Sequence, residues 1–322
     1  MGKNIHLSKV SLVAAGLIVT IIFVCTSYIP FVIESHENIL LPSSRKTGVC
    51  NNFQVSIKQE SVSMEIRKPQ TLFYSRIMKT GSNTFLSIVK PLINANKRCA
   101  MIKLPMDVPE ADVAGNYSST KAELVFGPED HVPFVNFTRF GVEMPEYFSF
   151  IRDPLDHVVS AYYHQTKFFE GYMNTSLDMC LEQAKPLCSE GSFSQGDAFN
   201  VFKYFCGYGN DCHRKSLVSL NKAIQNVDRY YGVVGIVEDY METLKVLELA
   251  YPDYFTGLYK AGKGKRKQNV RQSKPETTER SLQYLHLHLS LDYEFYFFIK
   301  RRFYEHLYSI KKHVSGFGGS SF

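Results

Sequence analysis

The chain has 322 residues, 44% of them hydrophobic, which is enough for one large domain or two small ones. Its net charge of +6 is mildly basic. That favours acidic ligands but is too weak to single out nucleic acid. There are 24 Phe and 20 Tyr but no Trp.

Lys3 and Lys9 precede an uncharged stretch, Val10–Ile33, and Glu34 and Glu37 follow it. The stretch suffices to cross a hydrocarbon core of roughly 30 Å at about 1.5 Å per residue. By the positive-inside tendency, residues 1–9 stay cytosolic and the bulk of the chain lies in a lumen or outside. A cleaved signal peptide has a shorter apolar region and a small-residue cleavage site. The span 10–33 is therefore expected to be an uncleaved signal anchor. Residues 34–70 are polar and irregular, as a stem should be. The globular domain is expected over 71–313 and a loose tail over 314–322.

The domain opens on "TLFYSRI", read as a strand, which breaks into Lys79-Thr80-Gly81-Ser82-Asn83-Thr84 and resumes as the helical "TFLSIV", with Pro91 near its end. Strand, polar turn and helix make a cradle for an anion, because unpaired N–H groups and the helix dipole meet at the helix start. One glycine permits close backbone approach, and the hydroxyls and amide can contact anionic oxygens. The loop lacks the Walker pattern, since its lysine comes first. "AELVF" (122–126) reads as a second strand. A third, "YFSFI" (147–151), runs through Arg152-Asp153-Pro154 into a helix. There Leu155, Val158, Val159, Tyr162 and Tyr163 share one face. Arg152 stands at the C-terminal end of its strand, where α/β sheets bind ligands, and a guanidinium can grip a phosphate through two hydrogen bonds. Ser160 is polar on an otherwise apolar segment. A cradle plus an arginine clamp suggests a ligand with two separated phosphate-like groups.

Cys180 and Cys188 flank "LEQAKPL", and Cys206 and Cys212 flank "GYGND". These spacings match no zinc pattern and suit two local disulfides in an oxidising compartment. The pairing of Cys50 and Cys99 is undecided. Three N-x-S/T sequons occur. Asn116, read as an exposed loop position, and Asn174 are glycan candidates, while Asn136 in the apolar "FVNFTRF" is expected to be buried and unmodified. "YYGVVGIV" (230–237) is a fourth strand, followed by a helix from Asp239 with Tyr240, Leu244 and Leu247 on one side. The run Lys260–Lys274 is basic with no acidic residue. It reads either as a solvated loop or as a segment whose Arg271 and Ser273 close over the ligand. The stretch from "SLQYLHLHL" to "YSIKK" is expected to form one long helix or a pair. Alternating strands and helices argue for an α/β domain with a mainly parallel sheet.

Taken together, "SRIMKTGSNT", "HVPFVNFTRFG", "IRDPLDHVVSAYY", "KYFCGYGNDC", "YGVVGIVEDYMETLKVLE" and "YEFYFFIKRRF" resemble the Golgi uronyl and heparan sulfate 2-O-sulfotransferases, over roughly residues 71 to 312. The uronyl branch is slightly nearer, through "YEFY" and "LYK". The resemblance implies a P-loop-like sulfotransferase fold behind one transmembrane helix, in a type II Golgi protein. It implies sulfuryl transfer from 3′-phosphoadenylyl sulfate to the 2-hydroxyl of a hexuronic acid in a polysaccharide, with the adenosine bisphosphate as product and no metal or nucleic acid. Lys79, Thr80, Gly81, Ser82, Asn83 and Thr84 would hold the 5′-phosphosulfate, and Arg152 with Ser160 the 3′-phosphate. His131 matches the catalytic histidine by position, suiting it to take the hydroxyl proton. Lys79 would neutralise charge on the bridging oxygen. Arg76 would pair with the acceptor carboxylate. Glu129 stands where the heparan branch carries a second histidine, which bears on acceptor preference. Two other readings are a catalytically silent glycan-binding protein of the same fold and a P-loop kinase of secreted substrates. The intact Lys79, His131, Arg152 and Ser160 speak against the first, the missing Walker pattern against the second. Self-association is left open.

Overall fold

Parallel strands are covered on both faces, and mostly apolar short runs suit that. In the computed structural model five such runs form one parallel sheet: β1 (Leu72–Tyr74), β2 (Cys99–Met101), β3 (Leu124–Phe126), β4 (Glu146–Ile151) and β5 (Tyr231–Ile236), in the spatial order β2-β3-β1-β4-β5. The structure describes residues 67–93, 99–101, 108–127, 131–169, 171–172, 175–189, 200–264 and 277–316. All belong to one compact unit, Glu60–Phe322. The expected membrane anchor over 10–33 lies outside the described residues. Among those described, no helix is long and apolar enough to cross a membrane.

β1 is central, and Tyr74 pairs in register with Phe126 on one side and Phe148 on the other. The Tyr74 and Phe148 rings stack at 4.8 Å. Helices follow the strands: Ser82–Ile93 after β1, Pro154–Gln165 after β4, and Tyr240–Ala250 after β5. At Gly235 in β5 any Cβ would meet Thr243 Cγ2 at 2.0 Å, so only glycine lets the Tyr240–Ala250 helix come this close to the sheet. The Thr243 hydroxyl then bonds the Ile236 backbone. The C-terminal segment is a pair of helices, Glu279–His288 and Ser290–Gly316, so helix extends into the first residues of the expected loose tail.

A second apolar cluster joins Val158, Ala161 and Tyr162 of the Pro154–Gln165 helix to Leu177, Leu285 and Leu289. The disulfide Cys180–Cys188 is part of it, and Cys206–Cys212 closes the other short loop, both as expected.

The structure corrects several expectations. The buried face of the Pro154–Gln165 helix is rotated: His157 and Ala161 are buried, while Leu155 and Val159 are only half-buried. The polar His157 goes inward because a backbone acceptor awaits it there. Asn116 is exposed but sits in a helix, Glu110–Ser119, and its amide donates to the Asp112 carbonyl. Asn136 is half-buried, not buried, because it stands at the start of a short 3-10 turn at the surface, with its side-chain oxygen accepting from the Thr138 hydroxyl. β1 is shorter than "TLFYSRI"; Ser75 still donates to Phe148, but the chain then turns away. Asn174, Cys25 and Cys50 lie outside the described residues.

Candidate active site

From β3 the chain crosses over β1 to reach β4, so it departs to opposite sides of the sheet from neighbouring strands. Such a switch point opens a crevice at the C-terminal strand ends. The loops that follow β1 and β4 carry the residues singled out above.

After β1, Arg76 is 7% exposed. Its Nη2 donates to Asn83 Oδ1 at 3.3 Å, and its Nε is buried with no partner among the described residues. Lys79 and Gly81 both have positive φ, 61° and 77°. A Cβ at Gly81 would meet Tyr240 and Val237 only at ordinary contact distance, so backbone conformation, not space, calls for glycine there. Thr80 is fully buried and donates to the Ile77 carbonyl at 2.8 Å. Its hydroxyl therefore works inside the turn rather than facing its mouth. Ser82 opens the Ser82–Ile93 helix, with Asn83 and Thr84 in its first turn. That turn holds no acidic residue, so the positive end of the helix dipole is not neutralised from within.

After β4, Arg152 is followed by Asp153, which caps the Pro154–Gln165 helix by accepting from Asp156 N at 3.1 Å. Pro154 takes the first helical position, where its missing N–H is harmless. Arg152 Nη2 reaches Asp156 at 3.2 Å, and its Nε is buried without a partner among the described residues. Ser160 is half-buried two turns into the helix. Two guanidinium groups, each holding an unspent buried donor, thus stand at adjacent strand ends. Anionic groups of bound ligands would satisfy both, since an orphaned buried donor is costly.

His131 joins them from a different part of the chain. It too has positive φ, 61°, and its Nδ1 is buried without a partner among the described residues. Burial, more than any other cause, pushes its pKa down to about 4; the charges of Arg76, His164 and Lys79 push the same way, and a hydrogen bond to the Arg76 backbone pulls it back. Those causes are also a map: His131, Arg76, Lys79 and His164 share one neighbourhood. The imidazole is neutral at pH 7 and able to accept a proton.

Two histidines of the Pro154–Gln165 helix escaped the sequence reading. His164 is shifted down by burial and by Lys79. His157 is buried, with Nε2 2.9 Å from the Met78 carbonyl. Each is an ionisable ring set next to apolar or tyrosine residues of that helix, which is the signal that could have marked them. Glu129, Arg271 and Ser273 lie outside the described residues.

A family model described as the sulfotransferase family matches residues 64–298. The chain is 26% identical over 279 residues to the human uronyl 2-sulfotransferase, covering 77% of this chain and 66% of that protein. It is 28% identical over 289 residues to the Drosophila melanogaster uronyl 2-sulfotransferase homolog pip, covering 77% and 54%. A Xenopus laevis heparan sulfate 2-O-sulfotransferase 1 matches at 26% over 272 residues, covering 76% and 74%. The chain thus spans just under two thirds of the human uronyl relative and about half of the Drosophila one.

Proposed function

The chain belongs to the sulfotransferase family, and from that premise we propose that it transfers a sulfuryl group from 3′-phosphoadenylyl sulfate to the 2-hydroxyl of a hexuronic acid in a glycosaminoglycan-like chain. The observation that carries the reading is a pair of buried guanidinium donors, Arg76 Nε and Arg152 Nε, without partners among the described residues, on neighbouring strand ends with Lys79 beside them. The names of the uronyl and heparan relatives favour a uronic acid acceptor.

In this reading the turn around Lys79, Gly81 and Ser82 and the start of the Ser82–Ile93 helix hold the 5′-phosphosulfate. Arg152 and Ser160 hold the 3′-phosphate, with Arg271 and Ser273 closing from the basic segment. His131 takes the proton of the 2-hydroxyl as its oxygen forms the new bond to sulfur. The bond from sulfur to the bridging phosphate oxygen breaks, and Lys79 neutralises the charge that this oxygen gains. Arg76 bonds Asn83 of the turn and acts on His131, which suits it to meet the acceptor carboxylate, as charge-assisted pairing with a planar guanidinium favours. The two local disulfides fit an oxidising compartment. With the span 10–33 as anchor, the domain would face the Golgi lumen.

The test is to incubate the full chain with radiolabelled donor and a panel of selectively desulfated heparan, chondroitin and dermatan chains, then locate the label by disaccharide analysis. Label on the uronic acid 2-position is expected. Label on the hexosamine, or glycan binding without transfer, would overturn the proposal.

A further inference from the structure

The two carbonyl oxygens just before Lys79 are each held from inside the domain. Thr80 Oγ1 donates to the Ile77 carbonyl at 2.8 Å, and His157 Nε2 lies 2.9 Å from the Met78 carbonyl. Thr80 is 0% and His157 1% exposed. A carbonyl can only accept, so the imidazole carries its proton on Nε2. Nδ1 is buried and has no partner among the described residues. The ring is therefore committed to this one bond.

Lys79 pays for its position with strain. A non-glycine residue at a φ of 61° is unfavourable and persists only where its surroundings over-determine it. The surroundings here are two buried donors, one local and one 79 positions from the carbonyl it holds. The distant donor belongs to the helix that starts directly after Arg152. An anion site also needs its carbonyl oxygens turned away, since a free one would present negative charge to the ligand.

Building on the proposed reading of Lys79 and Arg152 as contacts for the two anionic ends of one donor, we infer that His157 is a positioning residue. Its hydrogen bond to the Met78 carbonyl holds Lys79 in the left-handed conformation and sets the Lys79 turn in register with the Arg152 helix. Burial, with Arg152, Lys215 and Lys79 nearby, keeps the ring neutral down to about pH 4, so the bond keeps this single tautomer across the working range.

The test compares His157→Leu, His157→Asn and His157→Gln in the full chain. Glutamine places an amide donor where Nε2 was; asparagine is too short to reach, and leucine has no donor. The readouts are the KM for donor, the KM for acceptor, calorimetric affinity for 3′,5′-adenosine bisphosphate, and Tm. The leucine and asparagine variants should lose about ten- to hundredfold in donor KM or bisphosphate affinity, as small misplacements of a binding group do. Acceptor KM should stay at the parental value, and glutamine should restore donor affinity. A purely structural histidine would lower Tm without separating donor from acceptor. Folded leucine and asparagine variants with parental donor affinity would overturn the inference. So would a loss that glutamine does not repair, or unfolding of both variants beside a folded, active glutamine variant. A parent that binds the bisphosphate but transfers no sulfate would sink the proposed reaction alone, leaving the affinity comparison to judge His157.

Discussion

The Lys215 ammonium lies 2.6 Å from Asp292 Oδ2, with side-chain exposures of 6% and 3%. The pair ties the segment after Cys212 to the first turn of the Ser290–Gly316 helix. The second Asp292 oxygen has no partner among the described residues, and burial lifts the carboxyl to about 6 although Lys215 pulls it down. Both charges left water, so each depends on the other.

Removing one partner should therefore hurt more than removing both. Lys215→Met strands a buried carboxylate and should destabilise the fold by about 3–5 kcal/mol, while Lys215→Met with Asp292→Leu should recover most of that loss. Urea denaturation of the parent, the single and the double variant at pH 7.5 measures it. A single variant as stable as the parent would contradict the account.

Stability should also fall steeply in mild acid. His131, His157 and His306 are all held down to about 4 from 6.5, chiefly by burial. Below pH 6.5 the unfolded chain takes up protons that the folded chain refuses. The contribution is thus complete above 6.5 and is lost as pH falls toward 4. Each group contributes a slope of about 1.4 kcal/mol per pH unit within that window. Asp292 works in the opposite sense: raised to about 6 from 3.8, it binds a proton first in the folded state and stabilises as pH falls. Three histidines against one carboxylate leave a net loss between pH 6 and 4. Denaturation midpoints at pH 7.5, 6.5, 5.5 and 4.5 should drop in that order below 6.5; a flat series would be inconsistent with three buried neutral rings.

The sheet was legible because "LVF", "YFSFI" and "YGVVGI" are apolar runs broken only by Ser149, the mark of strands covered on both faces. Cys99–Met101 was not, being three residues long in a polar neighbourhood. The Glu110–Ser119 helix buries only Val113, Ala114 and Tyr117, too thin a stripe to announce a helix. At the site, Gly81 and Arg152 could be read from a turn glycine and a strand end. The left-handed Lys79 could not, because lysine gives no sign that it will accept that conformation. His157 makes sense only through Met78, a contact between distant parts of the chain that no local pattern encodes.

Arg152→Ala should weaken binding of 3′,5′-adenosine bisphosphate by about 2–5 kcal/mol, the usual range for truncating one partner of a desolvated charge pair. It also releases Asp156, which Arg152 holds at 3.2 Å, and a freed carboxylate near the site adds repulsion. Arg152→Lys should recover part of the loss, since an ammonium supplies charge but not two parallel donors. Calorimetry decides: an alanine variant with parental affinity would remove Arg152 from the clamp.

His131→Ala should leave bisphosphate binding close to parental, because its imidazole would face the acceptor hydroxyl. Turnover should fall by roughly 10²–10⁴, the usual contribution of a positioned general base. Lys79→Ala should damage both, since it would touch the phosphosulfate before and during transfer. The acid limb gives a second handle. With His131 held to about 4, the limb of kcat/KM should lie near pH 4, well below the 6.5 of an ordinary histidine. Arg76 and Lys79 contribute to that depression, and a bound anionic donor would offset them. The limb in kcat should therefore sit higher than the limb in kcat/KM. Rate profiles from pH 4 to 8, taken beside calorimetry on each variant, carry the test. A His131→Ala enzyme that keeps most of its turnover would refute the assignment, and Glu129, two positions earlier in the same segment, would be the next base to examine.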